Sequence, residues 1–277
     1  MAADEGIVPV FFLSDSTGIS AETMGNALLI QFPQLHFERR LIPFIVTAAE
    51  ARRVVAVLDA AADGPVTPIA FTTAATDEIR HILNTTRCPM IDFFELHMSR
   101  VEEVFGVAAK RHVAKLHGVG DIQRYNSRMA AIEYSIEHDD GQSVRALDRA
   151  DVVLVAPSRC GKTPTTMYLA LQHGLFVANY PLVEDDLDAA ELPRPVRALR
   201  ERCIGILADA KRLAEVRQAR RPNSRYASIA QCRYELRQAE AMYHANRIPV
   251  INSTTRSVEE MSTLIIQILQ SRTKDRS

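Results

Sequence analysis

The sequence predicts an α/β protein, with an N-terminal α/β domain on a parallel sheet and a C-terminal α/β domain that contains a P-loop. Three observations predict it. Short apolar runs alternate with helix-period segments along most of the chain, the pattern of successive β-α-β units. Runs such as VFFL and VVLV show no polar alternation, as expected for parallel strands buried on both faces. The run at 152–155 leads into Ala156-Pro157-Ser158-Arg159-Cys160-Gly161-Lys162-Thr163 and then a helical pattern, the order of parts in a phosphate-binding loop.

The elements follow in order. Residues 8–13 read as a strand, the turn Ser14-Asp15-Ser16-Thr17-Gly18 follows, and 19–32 read as a helix. A second strand is expected at 41–46 and a helix at 48–62. A third strand at 68–72 precedes a helix at 77–84, and a fourth strand is expected at 89–93. Between 95 and 145 the pattern weakens. His97, His112, His117 and His138 lie among charged residues without the i, i+4 pairing of a zinc helix, and read as scattered surface residues. Gly118-Val119-Gly120 marks a break, and 124–137 read as helical. A second α/β unit then opens with the strand at 152–155, a helix at 165–173 and a strand at 175–179. Another strand is expected at 203–207, a long basic helical region runs to about 246, and a last strand covers 248–251. Ser257 and Glu260 form a capping box that opens the final helix. No internal repeat is evident. The domain division is placed as 1–145, for docking or dimerisation and a contribution to the active site, and 146–277, for the phosphate loop.

Composition narrows the function classes. The 277 residues are 47% hydrophobic and 24% charged, an ordinary globular balance. A net charge of −1 argues against a general affinity for nucleic acid or anionic membranes, so an anion site must arise from local clustering. No apolar run reaches the roughly 18 residues of a membrane span. The first residues, MAADEGIVPVFFLSD, lack the basic start of a signal peptide. The four cysteines, Cys88, Cys160, Cys203 and Cys232, form no CxxC pair and fit reduced thiols in a cytoplasmic protein.

The chemistry concentrates at 156–163. Gly161 permits close backbone approach to a ligand, Lys162 is placed to reach a phosphate, and Thr163 supplies a hydroxyl for a metal. Ala156 stands where such loops usually begin with glycine. It precedes Pro157, which favours an extended conformation suited to the end of a strand. Pro164 falls in the first helical turn, where its missing N–H is no loss. Arg159 is either a phosphate contact or a solvated side chain, and Cys160 reads as a small filler. Phosphoryl transfer also calls for acids. The candidates are His138-Asp139-Asp140-Gly141, with Asp140 the favoured acid there, Glu184-Asp185-Asp186, and Asp209 after the 203–207 strand. Each can equally be a turn or cap residue. The arginine-rich region 211–238 is interrupted at Pro222-Asn223-Ser224, with Arg220, Arg221 and Arg225 at the break. It reads either as a solvated face or as a basic lid over phosphates. The 14–18 turn can bind an anion or simply cap a helix.

Six stretches taken together carry a resemblance. SDSTGISAE (14–22), AAIEYSIEHDDG (130–141), APSRCGKTPTTMYLA (156–170), ANYPLVEDD (178–186), RRPNSRYAS (220–228) and INSTTRSVEE (251–260) resemble the bacterial regulatory proteins of phosphoenolpyruvate synthase. These are grouped with the pyruvate, phosphate dikinase regulatory proteins of plants and other bacteria. The match runs in order over nearly the whole chain and departs at Ala156, where the family commonly has glycine. The resemblance implies a bifunctional enzyme. It would use ADP to phosphorylate a threonine of its target beside the catalytic histidine, and would remove that phosphate with inorganic phosphate, releasing pyrophosphate. It also implies that 156–163 hold ADP, with Mg²⁺ held through Thr163. Lys162, Asp209 and Asp140 are the expected catalytic residues. The expected partner is phosphoenolpyruvate synthase, and a homodimer is compatible with docking on an oligomeric target. The alternatives are the same activities on pyruvate, phosphate dikinase, a small-molecule P-loop kinase, and a nucleotide-sensing regulator without catalysis.

Overall fold

The computed structural model describes residues 6–110, 122–188 and 191–274. His112, His117 and the 118–120 break lie outside them. The chain divides into two compact units, 1–120 and 121–277. The division therefore falls upstream of the expected 145/146 boundary, because the helix and turn at 122–141 pack within the second unit.

In the first unit, β1 (Val8–Leu13), α1 (Ile19–Leu29), β2 (Phe37–Ile42), α2 (Ala48–Ala62), β3 (Ile69–Thr72), α3 (Asp77–Leu83), β4 (Met90–Asp92) and α4 (Glu95–Phe105) succeed one another. All strands are parallel, in the order β2-β1-β3-β4. Alternate residues of β1 serve opposite faces. Phe11 and Leu13 pack with Ala51, Val54 and Leu58 of α2 and with Ile79 and Leu83 of α3. Val10 and Phe12 pack with Ala21 and Leu29 of α1 and with Phe71 and Phe93. That two-sided burial explains the unalternating VFFL run. The second strand lies earlier than expected. Its sequence, FERRLI, looks polar because β2 is an edge strand whose middle residues are exposed. The apolar segment read as that strand is ended by Pro43 and by Phe44, whose φ is 58°.

The turn at 14–18 is filled by its own side chains. Asp15, 3% exposed, accepts hydrogen bonds at Oδ2 from the backbone N–H groups of Ala75 (2.7 Å) and Thr76 (3.3 Å) and from the Thr76 hydroxyl (3.2 Å). Ser14 Oγ accepts from Ser16 N–H at 3.1 Å. The Ala75 and Thr76 N–H groups beyond β3 are thus occupied by a carboxylate of the chain itself.

The second unit comprises α5 (Ile122–Glu137), β5 (Val152–Pro157), α6 (Lys162–Tyr168), β6 (Val177–Leu182), α7 (Glu184–Leu187), α8 (Arg194–Arg197), β7 (Cys203–Leu207), α9 (Ala210–Arg220), α10 (Ile229–Ala245), β8 (Val250–Asn252) and α11 (Val258–Lys274). Two 3-10 turns, Asp139–Gly141 and Leu147–Arg149, follow α5, and a π-helical turn, Leu169–His173, continues α6. The strands are parallel in the order β6-β5-β7-β8, the same connectivity as the first sheet. The repeat that residue patterns did not reveal is therefore one of topology. All six residues of β5 are buried. Val153 and Val155 face α10 residues Ala239, Met242 and Tyr243, while Val152, Leu154 and Ala156 face Leu169, Met261 and Ile265. The expected capping box opens α11: Ser257 N–H donates to Glu260 Oε2 at 2.8 Å, and Glu260 N–H donates to Ser257 Oγ at 3.2 Å. The basic helical region is broken where the sequence places its interruption: α9 and α10 are joined through 221–228.

His138 is not a surface histidine. It is 1% exposed, stacks on Tyr134 at 3.9 Å between ring centres, and sets its ring nitrogens 2.8 Å from Tyr134 O and 2.6 Å from Arg145 O. It ties α5 to the segment that leads into β5.

Candidate functional site

In the second sheet β5 is followed by a crossover to β6 on one side, while β7 lies on its other side. The strand order reverses there, and in open α/β sheets the crevice beyond the strand ends at such a point receives ligands. The loop 158–161 leaves β5 at this place. Ala156, fully buried, is the next-to-last residue of the strand, in register with Pro181 of β6, so an extended residue before Pro157 fits. Arg159 has φ 72° and is exposed, and Gly161 has φ 92°. Two left-handed residues close together curl the backbone into a concavity whose N–H groups can converge on an anion. Glycine removes the strain at the second position. The helix begins at Lys162, three residues earlier than expected, so Gly161 caps it directly and Pro164 sits in its first turn.

Lys162 is 3% exposed. Its Nζ donates to Ala156 O at 3.1 Å and to Pro157 O at 3.2 Å. The ammonium is thus folded back on the loop's own carbonyls. Desolvation holds its pKa below the ordinary lysine value, against the opposing pull of Cys160, Asp140 and Asp139. Cys160 is a filler, as expected: burial pushes its thiol up to about 11.

Thr163 Oγ1 donates to Asp139 Oδ1 at 2.9 Å. Asn179, 1% exposed on β6, donates from Nδ2 to the same carboxylate oxygen and lies 3.3 Å from Thr163 Oγ1. Its Oδ1 in turn accepts from Asp140 N–H at 3.1 Å. A hydroxyl, a carboxylate and a carboxamide therefore meet beside the loop, each oriented by another.

The expected acids are placed differently. Asp140 is exposed, with φ 48°, and contacts the cluster through its backbone, which turns Asp139 rather than Asp140 toward Thr163. Asp209 is exposed and caps α9, its Oδ1 accepting from Lys211 N–H at 2.9 Å and Arg212 N–H at 3.1 Å. It lines a cavity of about 670 Å³ with Arg233, Arg237 and Asn252, and no described contact joins it to Lys162 or Thr163. Glu184 pairs with Arg225 at 2.8 Å, and Asp186 Oδ2 accepts from Val183 N–H at 3.2 Å. Arg220, Arg221 and Arg225 are exposed at the break. Reading the residues alone missed Asn179, whose signal is a buried amide inside the apolar strand run VANYPL.

Among the described residues no group of three His, Cys, Asp or Glu side chains is placed to hold a metal. The Thr163–Asp139 oxygen pair nevertheless suits a hard cation such as Mg²⁺, which takes one or two protein oxygens and fills its shell with phosphate and water.

A family model described as kinase/pyrophosphorylase matches residues 10–266. Similar proteins, each named as a phosphoenolpyruvate synthase regulatory protein, include one from Legionella pneumophila (strain Corby), 41% identical over 260 residues, covering 94% of this chain and 96% of the relative. One from Hahella chejuensis is 44% identical over 260 residues, covering 93% and 95%. One from Neisseria meningitidis serogroup C is 43% identical over 259 residues, covering 93% and 95%. A model matched across both units, with relatives aligned over nearly their full length, settles the family: the chain belongs to the kinase/pyrophosphorylase family.

Proposed function

We propose that the protein is an ADP-dependent threonine kinase and phosphate-dependent pyrophosphorylase acting on phosphoenolpyruvate synthase. The observation that carries the reading is the loop at the β5 end, where a buried lysine and a Thr163–Asp139–Asn179 cluster stand beside the start of α6. The relatives' names favour the synthase over the dikinase as target.

In the kinase direction the target threonine oxygen attacks the β-phosphorus of ADP, the bond to the bridging oxygen breaks, AMP leaves, and the hydroxyl proton is released. In the other direction an oxygen of inorganic phosphate attacks the phosphothreonine phosphorus, giving pyrophosphate and restoring the threonine hydroxyl. Both need a pocket for two phosphoryl groups and no γ-phosphate, the size a loop of this kind holds. Lys162 would exchange its two carbonyl partners for phosphate oxygens, placing its charge where negative charge gathers. The convergent N–H groups of the loop would fix the phosphoryl group in line with its acceptor. Asp139, oriented by Asn179, would hold the Thr163 hydroxyl, a side-chain contact that neither Asp140 nor Asp209 makes among the described contacts. Mg²⁺, held through Thr163 and Asp139, would neutralise phosphate charge. Four free, buried cysteines suit a reducing, cytoplasmic setting.

The test is label transfer. Incubated with phosphoenolpyruvate synthase, Mg²⁺ and β-labelled ADP, the protein should place label on a synthase threonine, and unlabelled phosphate should then release it as pyrophosphate. Lys162→Ala should abolish both reactions, and Asp139→Asn should slow both by about a hundredfold or more. Transfer to no protein sinks the proposal, and full activity of Lys162→Ala removes the loop from it.

A further inference from the structure

Arg217 has no part in the chemistry above, yet it is a fully buried cation. Its guanidinium reaches the phosphate loop: Nη2 and Nε donate to Ser158 O at 3.0 and 3.3 Å. Nη1 donates to Tyr226 O at 3.1 Å, and Nη2 pairs with Glu235 Oε2 at 2.6 Å. The guanidinium carbon stands 4.2 Å from the centre of the Tyr226 ring, and the Tyr226 hydroxyl lies 2.9 Å from Ser158 Oγ. Ser158 is thus held at its carbonyl by one of these residues and at its hydroxyl by the other.

A loop that receives an anion must turn N–H groups inward and carbonyls away. Each carbonyl turned into the protein needs a donor of its own. Those of Ala156 and Pro157 are met by Lys162, the group that must leave them when phosphate arrives. Ser158 O is met by Arg217, which stays. Core filling alone does not explain a guanidinium here, since apolar side chains pack as well without a buried ion pair. Only a planar, many-donor group meets the loop, the 221–228 connection and α10 at once.

We propose that Arg217, with Tyr226 stacked on it, is a positioning residue that holds the 158–161 backbone in its anion-receiving form. The proposal rests on the phosphate-loop reading. It links the connection between α9 and α10 to the loop.

The test compares wild type with Arg217→Lys, which keeps a charge for Glu235 but cannot serve the Ser158 and Tyr226 carbonyls together. KM for ADP and KM for phosphate should rise together by about tenfold, with KM for the protein substrate within roughly twofold of wild type. Unchanged KM values overturn the proposal. So does a fall in kcat alone, which would mean only fewer folded molecules. If Arg217→Lys does not fold, Tyr226→Leu, a change at a half-buried site, takes its place. There the same two constants should rise about threefold, and no change overturns the proposal. Calorimetry on the wild type separates the premise: a protein that binds neither ADP nor phosphate fails the loop reading before Arg217 is at issue.

Discussion

Lys162 carries a cost that a ligand would relieve. Its ammonium is buried against two carbonyls, and desolvation lowers its pKa from the ordinary 10.5. Between the folded value and 10.5 the unfolded chain binds more protons than the native one. The contribution of this group to stability therefore rises with pH through that window, and below it the buried cation is a net burden. An anionic phosphate beside Nζ favours the charged form and raises the pKa again. Binding of ADP at alkaline pH, between the lowered value and 10.5 and with the phosphates already ionised, should then take up protons. Calorimetric titrations in two buffers of different ionisation enthalpy measure this directly. Proton release, or no dependence on buffer, would show that Lys162 does not face the phosphates. At Asp139 the backbone decides the chemistry in a comparable way. The pair Asp139-Asp140 is legible as a candidate acid, but which of the two turns inward is decided by the left-handed backbone of Asp140, which side-chain chemistry does not announce.

At the scale of elements, α10 can lie on the sheet only because Gly205 leaves room. A Cβ there would stand 2.6 Å from the Tyr243 ring. Tyr243 is fully buried, and its hydroxyl donates to Val155 O at 2.7 Å, so the ring has little freedom to retreat. Gly205→Ala should destabilise the protein by about 1–3 kcal/mol, read as a lower denaturant midpoint at unchanged slope. A midpoint equal to wild type would mean that α10 shifts freely on β7. Elements with both faces buried, such as β1 and β5, were legible as continuous apolar runs, and the loop between β5 and α6 was legible as a motif. What escaped reading did so for identifiable reasons. β2 hides among Glu38, Arg39 and Arg40 because the middle residues of this edge strand are exposed to solvent and need not be apolar. The α9–α10 junction was visible at Pro222, but Arg217, five residues before it, looks like any other arginine of a solvated stripe. Burial of its charge depends on Glu235 and the Ser158 carbonyl, which only the fold brings to it.

On the scale of the whole molecule, two sheets with the same strand order put their first strands, β1 and β5, at equivalent places. Residue identity conceals this duplication, since it resides in connectivity. The two places differ in charge. Asp15 fills the first with a carboxylate that already occupies the nearby N–H groups, whereas Lys162 brings a cation to the second. The proposed phosphate loop lies in the second unit. Every described hydrogen-bond partner of residues 156–163 lies there, from Asp139 and Asn179 to Arg217 and Tyr226. The helix α5, whose end carries the 138–141 turn, packs on β6 and α6 of the same unit, so a fragment must begin ahead of it rather than at residue 146. A fragment of residues 121–277 that unfolds cooperatively should therefore bind ADP within about threefold of the full chain, whereas one starting at 146 should bind far more weakly for want of Asp139. Calorimetry on the two fragments decides between local and shared sites. A folded 121–277 fragment that binds ADP at least about tenfold more weakly would show that the first unit contributes to the site, and that the duplicated sheet serves more than one role in the same reaction.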